Sequence, residues 1–259
     1  MQNSMYSALF GALSNEHRMN GIANNLANVN TTGYKRDMIA FKDTFAMYAH
    51  DQILEPQVHL RQEKLFPEPT HISRTRLSYS KTDMAQGSHS ITGAPFDLAI
   101  AGDGFFKVRT LQGDFYTRNG HFRLTAEGTL INEQGYPVVS DGGEITLPEG
   151  VSNFTIAESG EIYADGVLVG QIQLVDVDNP LQLEKLGNNM YRVRPGSNVE
   201  EIEANGFMSQ GFLEISNVNP VYEMVNMIEA QRQFEAYAKV MQTTEAIDRE
   251  TTTKIGRAR

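Results

Sequence analysis

The sequence predicts an α+β protein, with a helix at each end of the chain and a central antiparallel all-β domain between them. Three observations carry this. Apolar residues recur in heptads through the first 30 positions, glycines fall every seven to nine residues between Gly104 and Gly143, and helical spacing returns after Gly211. The expected organisation is a discontinuous helical domain of residues 1–40 and 207–259, an extended connector over 41–84, and an outer β domain over 85–206.

In the first helix Met5, Ala12, Met19 and Leu26 lie seven apart, with Leu9 and Ala23 four residues after the first and third of them. That is an a/d seam broken by one polar residue, Glu16. Asn30-Thr31-Thr32-Gly33 gathers residues that favour turns and the left-handed region, so the helix should stop near Asn28 to Asn30. Residues 41–80 mix short apolar pieces with Pro56, Pro67, Pro69 and many charges, which suits an irregular extended segment. From Phe96 to Asn205 the pattern is of short strands. Asp165-Gly166 between Glu161-Ile162-Tyr163-Ala164 and Val167-Leu168-Val169 is the clearest hairpin, because Asp-Gly supplies both positive φ angles of a type I′ turn. Asn219-Pro220 opens the second helix, with Asn as N-cap and Pro at the first position, where its missing N–H is not needed. Its stripe is Val221, Met224, Ile228, Gln231, Phe234, Ala238 and Met241. Isolated helices of this kind are marginal in water, so the two must pack on each other or on other chains.

The chain has 259 residues, 40% of them hydrophobic, which is enough for one large or two ordinary domains with a true core. The absence of cysteine excludes disulfides, thiolate nucleophiles, zinc–thiolate sites and iron–sulfur clusters. A net charge of −10 disfavours binding to nucleic acid. That charge resides entirely in 91–206, while the two flanks are nearly neutral. No apolar stretch is long enough to span a bilayer, and the first residues lack the basic and apolar regions of a secretory signal.

No constellation of catalytic residues emerges. The six histidines, at 17, 50, 59, 71, 89 and 121, include no pair at metal-ligand spacing on a helix. Gly102-Asp103-Gly104-Phe105 begins like a dinucleotide fingerprint, but the third glycine is missing and a strand follows, so a tight turn is expected. The thirty-two acids leave paired-carboxylate glycoside chemistry as the one enzymatic alternative. Arg74, Arg76 and Lys81 form a loose basic group that suits a solvated face, or a peptidoglycan or subunit contact.

The ends carry the sharpest motifs. Ala23-Asn24-Asn25-Leu26-Ala27-Asn28-Val29-Asn30-Thr31-Thr32-Gly33-Tyr34-Lys35 closely resembles the N-terminal signature of the bacterial flagellar rod and hook proteins. Leu213-Glu214-Ile215-Ser216-Asn217-Val218-Asn219-Pro220, with Glu223-Met224 and Met227-Ile228-Glu229-Ala230-Gln231-Arg232, is similar to their C-terminal signature. Thr92-Gly93-Ala94-Pro95-Phe96-Asp97 through Phe106 and Tyr116-Thr117-Arg118-Asn119-Gly120 resemble their central segment. One departure is Ile215, where the family more often has a small residue. Within the family, Leu183-Glu184-Lys185-Leu186-Gly187-Asn188-Asn189-Met190-Tyr191 and the lack of a glycine-rich Gly-Leu-Gly connector resemble the proximal rod protein at the junction with the distal rod.

The resemblance implies a non-enzymatic structural subunit with no cofactor and no metal, in the basal-body rod within the periplasm. It implies export through the flagellar type III apparatus without a cleaved signal, and partners that are further copies and other rod proteins. It also implies that the terminal helices pair as a coiled coil and polymerise, with the β domain outward. Expected assembly residues are Met5, Leu9, Met19, Leu26, Met224, Ile228, Phe234 and Met241 on the seams, with Asn24, Asn25, Asn28, Thr31, Gly33, Ser216, Asn217 and Val218 in the signatures. The asparagine amides can donate and accept at once, so they either satisfy the turn backbone or bridge neighbouring subunits. A distal rod or hook subunit and a periplasmic carbohydrate-active enzyme are the alternatives.

Overall fold

The computed structural model describes residues 2–47, 71–140, 143–148 and 153–257. His50, His59 and much of the expected connector lie outside the described residues, as do the side chains of Arg74 and Arg76. The chain divides into two units: Met1–Asn24, Met38–Lys81 and Val221–Arg259 form one, and Asn25–Asp37 with Thr82–Pro220 form the other.

The first unit holds most of helix α1 (Gln2–Ala27), nearly all of the paired strands β1 (Asp37–Met47) and β2 (His71–Thr82), and the body of helix α2 (Pro220–Arg257). Helix α1 ends where the Asn-rich turn begins, and α2 opens at Pro220 but runs beyond the expected stripe to Arg257. The residues α1 buries are small: Ala8, Ala12 and Asn15, followed by Ile22. Gly11 faces α2 so closely that a Cβ there would lie 2.5 Å from the Tyr237 ring. The larger Tyr6, Leu9 and Leu13 point outward. On α2, Ala230 and Thr244 are buried, while Val221, Met224, Val225, Ile228 and Phe234 are exposed.

The β unit begins with β3 (His89–Ile91) and β4 (Leu98–Ala101), followed by the hairpin of β5 (Phe105–Thr110) and β6 (Gly113–Thr117). Short pairs follow in β7 (Arg123–Leu124) with β8 (Leu130–Ile131), and β9 (Val139–Ser140) with β10 (Gly143–Glu144). A three-stranded sheet joins β11 (Phe154–Ile156), β12 (Glu161–Ala164) and β13 (Val167–Gln171). The remaining strands are β14 (Leu174–Val177), β15 (Leu183–Gly187), β16 (Met190–Val193), β17 (Glu201–Glu203), β18 (Phe207–Gln210) and β19 (Phe212–Glu214).

The main sheet has the antiparallel order β15-β16-β6-β5-β14-β17. Strand alternation places Phe106 and Val108 in a large core with Leu98, Phe122, Val138, Ile162 and Ile172. Its neighbour Phe105 joins Tyr116, Val175, Leu183 and Tyr191 in a second cluster. Both faces of β5 are therefore covered, and each fully buried side chain of this size contributes roughly 1.5–3 kcal/mol. Asp165 and Gly166 have φ of 46° and 82°, the type I′ turn expected between β12 and β13. A second two-residue turn of the same kind, Asn188-Asn189 at φ 50° and 56°, joins β15 to β16. Gly102-Asp103-Gly104 forms the tight turn into β5.

Residues 207–218, from the C-terminal part of the chain, fold into the β unit, not with α2. There β18 pairs with β4 and β19 with β3, each antiparallel. That pairing brings the C-terminal signature back beside residues 85–101 and onto the N-terminal signature.

Candidate functional site

The site is built where the two signatures meet inside the β unit. After α1 stops, the backbone turns through Thr31 N–H to Asn28 C=O at 3.1 Å, with the Thr31 hydroxyl donating to the Asn28 amide oxygen at 3.2 Å. Gly33 follows with φ 67°, and its N–H donates to the Glu214 carbonyl at 2.7 Å. Glycine is required twice over: the left-handed φ strains any other residue, and a Cβ would lie 2.5 Å from the Arg118 and Asn119 backbone.

The turn delivers Lys35 into the interior. Its ammonium lies 2.6 Å from Glu214 Oε1, with both side chains only 1% exposed, and it also donates to the Ala85 carbonyl at 2.8 Å. The Gly87 N–H donates to the same carboxylate oxygen at 2.8 Å, and Arg118 Nη1 stands 3.5 Å from Oε2 while donating to Gly102 C=O. Arg118 also covers the Phe105 ring, 5.1 Å from its centroid. Burial pushes the Lys35 ammonium below its usual pKa range, against the opposing pull of Glu214. Two charges held this way are tolerable only because each is paired and hydrogen-bonded.

Around the ion pair, asparagine amides replace missing backbone partners. Asn25 accepts from the Asp37 N–H at 2.9 Å and donates to the Asp37 carbonyl at 3.0 Å, while the Tyr34 hydroxyl donates to its oxygen at 3.2 Å. Asn217 accepts from the Arg36 N–H at 2.8 Å and donates to the carbonyls of Asp83 and Ala85. Ser216 Oγ accepts from Val218 N–H, and Val218 is buried. The hairpin β15–β16 docks from the other side. Asn189 donates to the Thr32 carbonyl at 2.6 Å, and Lys185 donates to the Lys35 carbonyl at 3.0 Å and to Asp37 Oδ2 at 3.1 Å. The Lys185 ammonium also sits 3.7 Å from the Tyr34 ring centroid.

The expected residues thus fall into two groups. Asn25, Thr31, Gly33, Ser216, Asn217 and Val218 come together in this joint with Asn28, and their bonds described above are made within the chain. Met5, Met19, Leu26 and Met241 are half-buried; Leu9, Asn24, Met224, Ile228 and Phe234 are exposed. Reasoning from sequence missed Lys35, Asp37, Arg118, Lys185, Asn189 and Glu214. In sequence Lys35 and Glu214 are a lone base in one signature and a lone acid in the other, with nothing to pair them.

Among the described residues no group of three or more His, Asp or Glu side chains could hold a metal ion. A groove of about 450 Å³ beside β14 and β17 is lined by a single carboxylate, Glu201, which is already bound to Lys107 and the Tyr116 hydroxyl. The β unit joins residues 25–37 to residues 207–218 of the same chain, and the helices of the other unit carry exposed apolar residues.

Family comparisons agree. Residues 5–35 match the model for flagella basal body rod proteins, 99–164 that for the D1 domain of the flagellar hook proteins FlgE/F/G, and 209–253 that for the C-terminal region of flagellar basal body rod FlgEFG proteins. The flagellar basal-body rod protein FlgF of Caulobacter vibrioides is 33% identical over 258 residues, covering 99% of each chain. FlgG of Bacillus subtilis is 34% identical over 260 residues, covering 95% of this chain and 97% of its own. FlgG of Buchnera aphidicola (subsp. Acyrthosiphon pisum) is 34% identical over 255 residues, covering 93% and 95%. The chain belongs to the flagellar basal-body rod protein family. It is a structural subunit of the flagellar basal body that assembles with other rod components, and not an enzyme. No helix among the described residues is long and apolar enough to cross a membrane.

Proposed function

We propose that this subunit builds the proximal rod at its junction with the distal rod, polymerising through its two terminal helices paired as a coiled coil and helping to carry torque. The observation that carries this reading is the run of exposed apolar side chains on α2, Val221, Met224, Val225, Ile228 and Phe234, together with Leu9 and Leu13 on α1. Such a face is stable in water only when neighbours cover it. Methionine suits packing against subunits that are not quite equivalent, because its unbranched chain adapts to irregular gaps. Residues 85–206 form the outward β domain, whose acidic surface keeps the shaft soluble. The chain reaches the periplasm unfolded through the flagellar type III apparatus, without a cleaved signal.

Support for the proximal position comes from the Leu183–Tyr191 segment, which forms the docked β15–β16 hairpin, and from the match to the Caulobacter FlgF over 99% of both chains. A distal rod or hook subunit is the alternative within the family. The test replaces Phe234 by Asp in the full-length protein. The expected result is a β unit with unchanged near-ultraviolet circular dichroism, but loss of the subunit from isolated basal bodies and loss of motility. Normal motility with that variant present in the rod would overturn the role given to these helices.

A further inference from the structure

The chain enters and leaves the β unit at four places, next to Asn25, Asp37, Thr82 and Pro220. Three of those residues are bonded directly to one another. Asn25 pairs its amide with both backbone groups of Asp37, and the Thr82 hydroxyl donates to Asp37 Oδ1 at 3.1 Å. The fourth strand of chain is brought in by Asn217, which receives the Arg36 N–H. Arg36 in turn bonds Asp83 twice, through its carbonyl from Asp83 N–H at 2.9 Å and through Nε to Oδ2 at 2.8 Å. The free side of Asp37 is closed by Lys185, whose ammonium bonds Oδ2 and the Lys35 carbonyl and lies over Tyr34.

We propose that Asp37, held by Lys185 from the β15–β16 hairpin, is the centre of a clamp that gathers all four chain crossings into one fixed root. Each crossing lies at the end of a helix or strand, where regular structure frays when nothing holds it. Bonded in one network, none can shift without breaking bonds at the others, so a force applied along any one segment is shared by all four. Lys185 is a positioning residue: it reaches from a separate hairpin, and its ammonium is held over the face of the Tyr34 ring. The clamp concerns the folded chain itself and holds whether or not the terminal helices are the assembly surface.

Hydrogen exchange on the full-length protein in solution tests it with Lys185→Met, which keeps the stem and removes the charge. The amides of Arg36, Asp37 and Asp83 are expected to exchange about tenfold faster or more, and by a clearly larger factor than those of the Phe105–Thr110 strand. Lys185→Arg, which retains a donor for Asp37, is expected to restore protection. Unchanged exchange in Lys185→Met would overturn the clamp. Equal acceleration in the Phe105–Thr110 strand would overturn it as well, because Lys185 would then merely support the sheet. Rod incorporation of the same variants decides the assembly reading separately.

Discussion

Removing the positive charge of Lys35 leaves Glu214 buried with the Gly87 N–H on Oε1 and the Arg118 guanidinium 3.5 Å from Oε2. Lys35→Met should therefore destabilise the β unit by about 3 kcal/mol, the low end for breaking a buried pair, because Arg118 still offsets part of the charge. Urea unfolding at neutral pH measures this, and a loss below about 1 kcal/mol would place the pair among weak surface bridges. Adding Glu214→Leu should recover part of the loss, because two apolar groups satisfy each other where one charge cannot. This pair was invisible in sequence for a physical reason. Helix caps and turns leave a signal within a few residues, whereas partners 179 residues apart leave none. Asn25 and Asn217 stood out because they lie in the two segments that resemble the family's signatures; whether they bond backbone or a neighbour could be decided only in three dimensions.

Single elements were far more legible. Asp165-Gly166 and Asn219-Pro220 specify a turn and a helix start by local stereochemistry, and both form where expected. The strands at β1 and β2 were not legible, since their pairing depends on a partner across a long intervening segment. On the β5–β6 hairpin a further property follows from charge. A hydrogen bond from Arg109 holds the Asp114 carboxyl below its ordinary value of 3.8. Burial would push Glu201 up, yet the Tyr116 hydroxyl and Lys107 outweigh it and hold it below 4.5. Carboxylates lowered in the folded state contribute stability that is complete above their unfolded values and is lost as pH falls through the folded ones. The urea midpoint should stay level down to about pH 5 and decline below about 4.5, with a shallower decline in Glu201→Gln. Both groups are partly exposed, so the effect is modest and weakens with salt.

At the scale of the molecule, the sequence located the acidic β region and the apolar ends, but not the side of each helix that turns inward. Heptad spacing marked Met5, Leu9, Ala12 and Met19; Ala12 is buried and Met5 and Met19 are half-buried, but Leu9 turns outward and α1 also buries Ala8 and Asn15, which lie off that seam. Small residues permit the close approach that Gly11 makes to Tyr237, and periodicity weighted by size overlooks them. Limited proteolysis separates the body of the protein from its ends. A resistant core containing residues 85–206 is expected, and the peptide bearing 25–37 should remain attached after the chain around it is cut, because Lys35, Asn25 and Asn189 hold it. Native mass spectrometry reads this directly. Release of that peptide with the helices would show that the joint does not survive apart from the intact chain.

The bond between Lys35 and Glu214 also sets an order of events. A chain growing from its N-terminus, or passing end-first through a narrow opening, presents Lys35 early and Glu214 only after four-fifths of its length has followed. Contacts this distant in sequence close late and slowly. Until they close, Lys35 stays solvated and the Asn-rich turn has nothing to rest against. The root of the first helix therefore becomes rigid only when the root of the second has arrived, and a chain broken off before Glu214 carries no means of setting its own beginning.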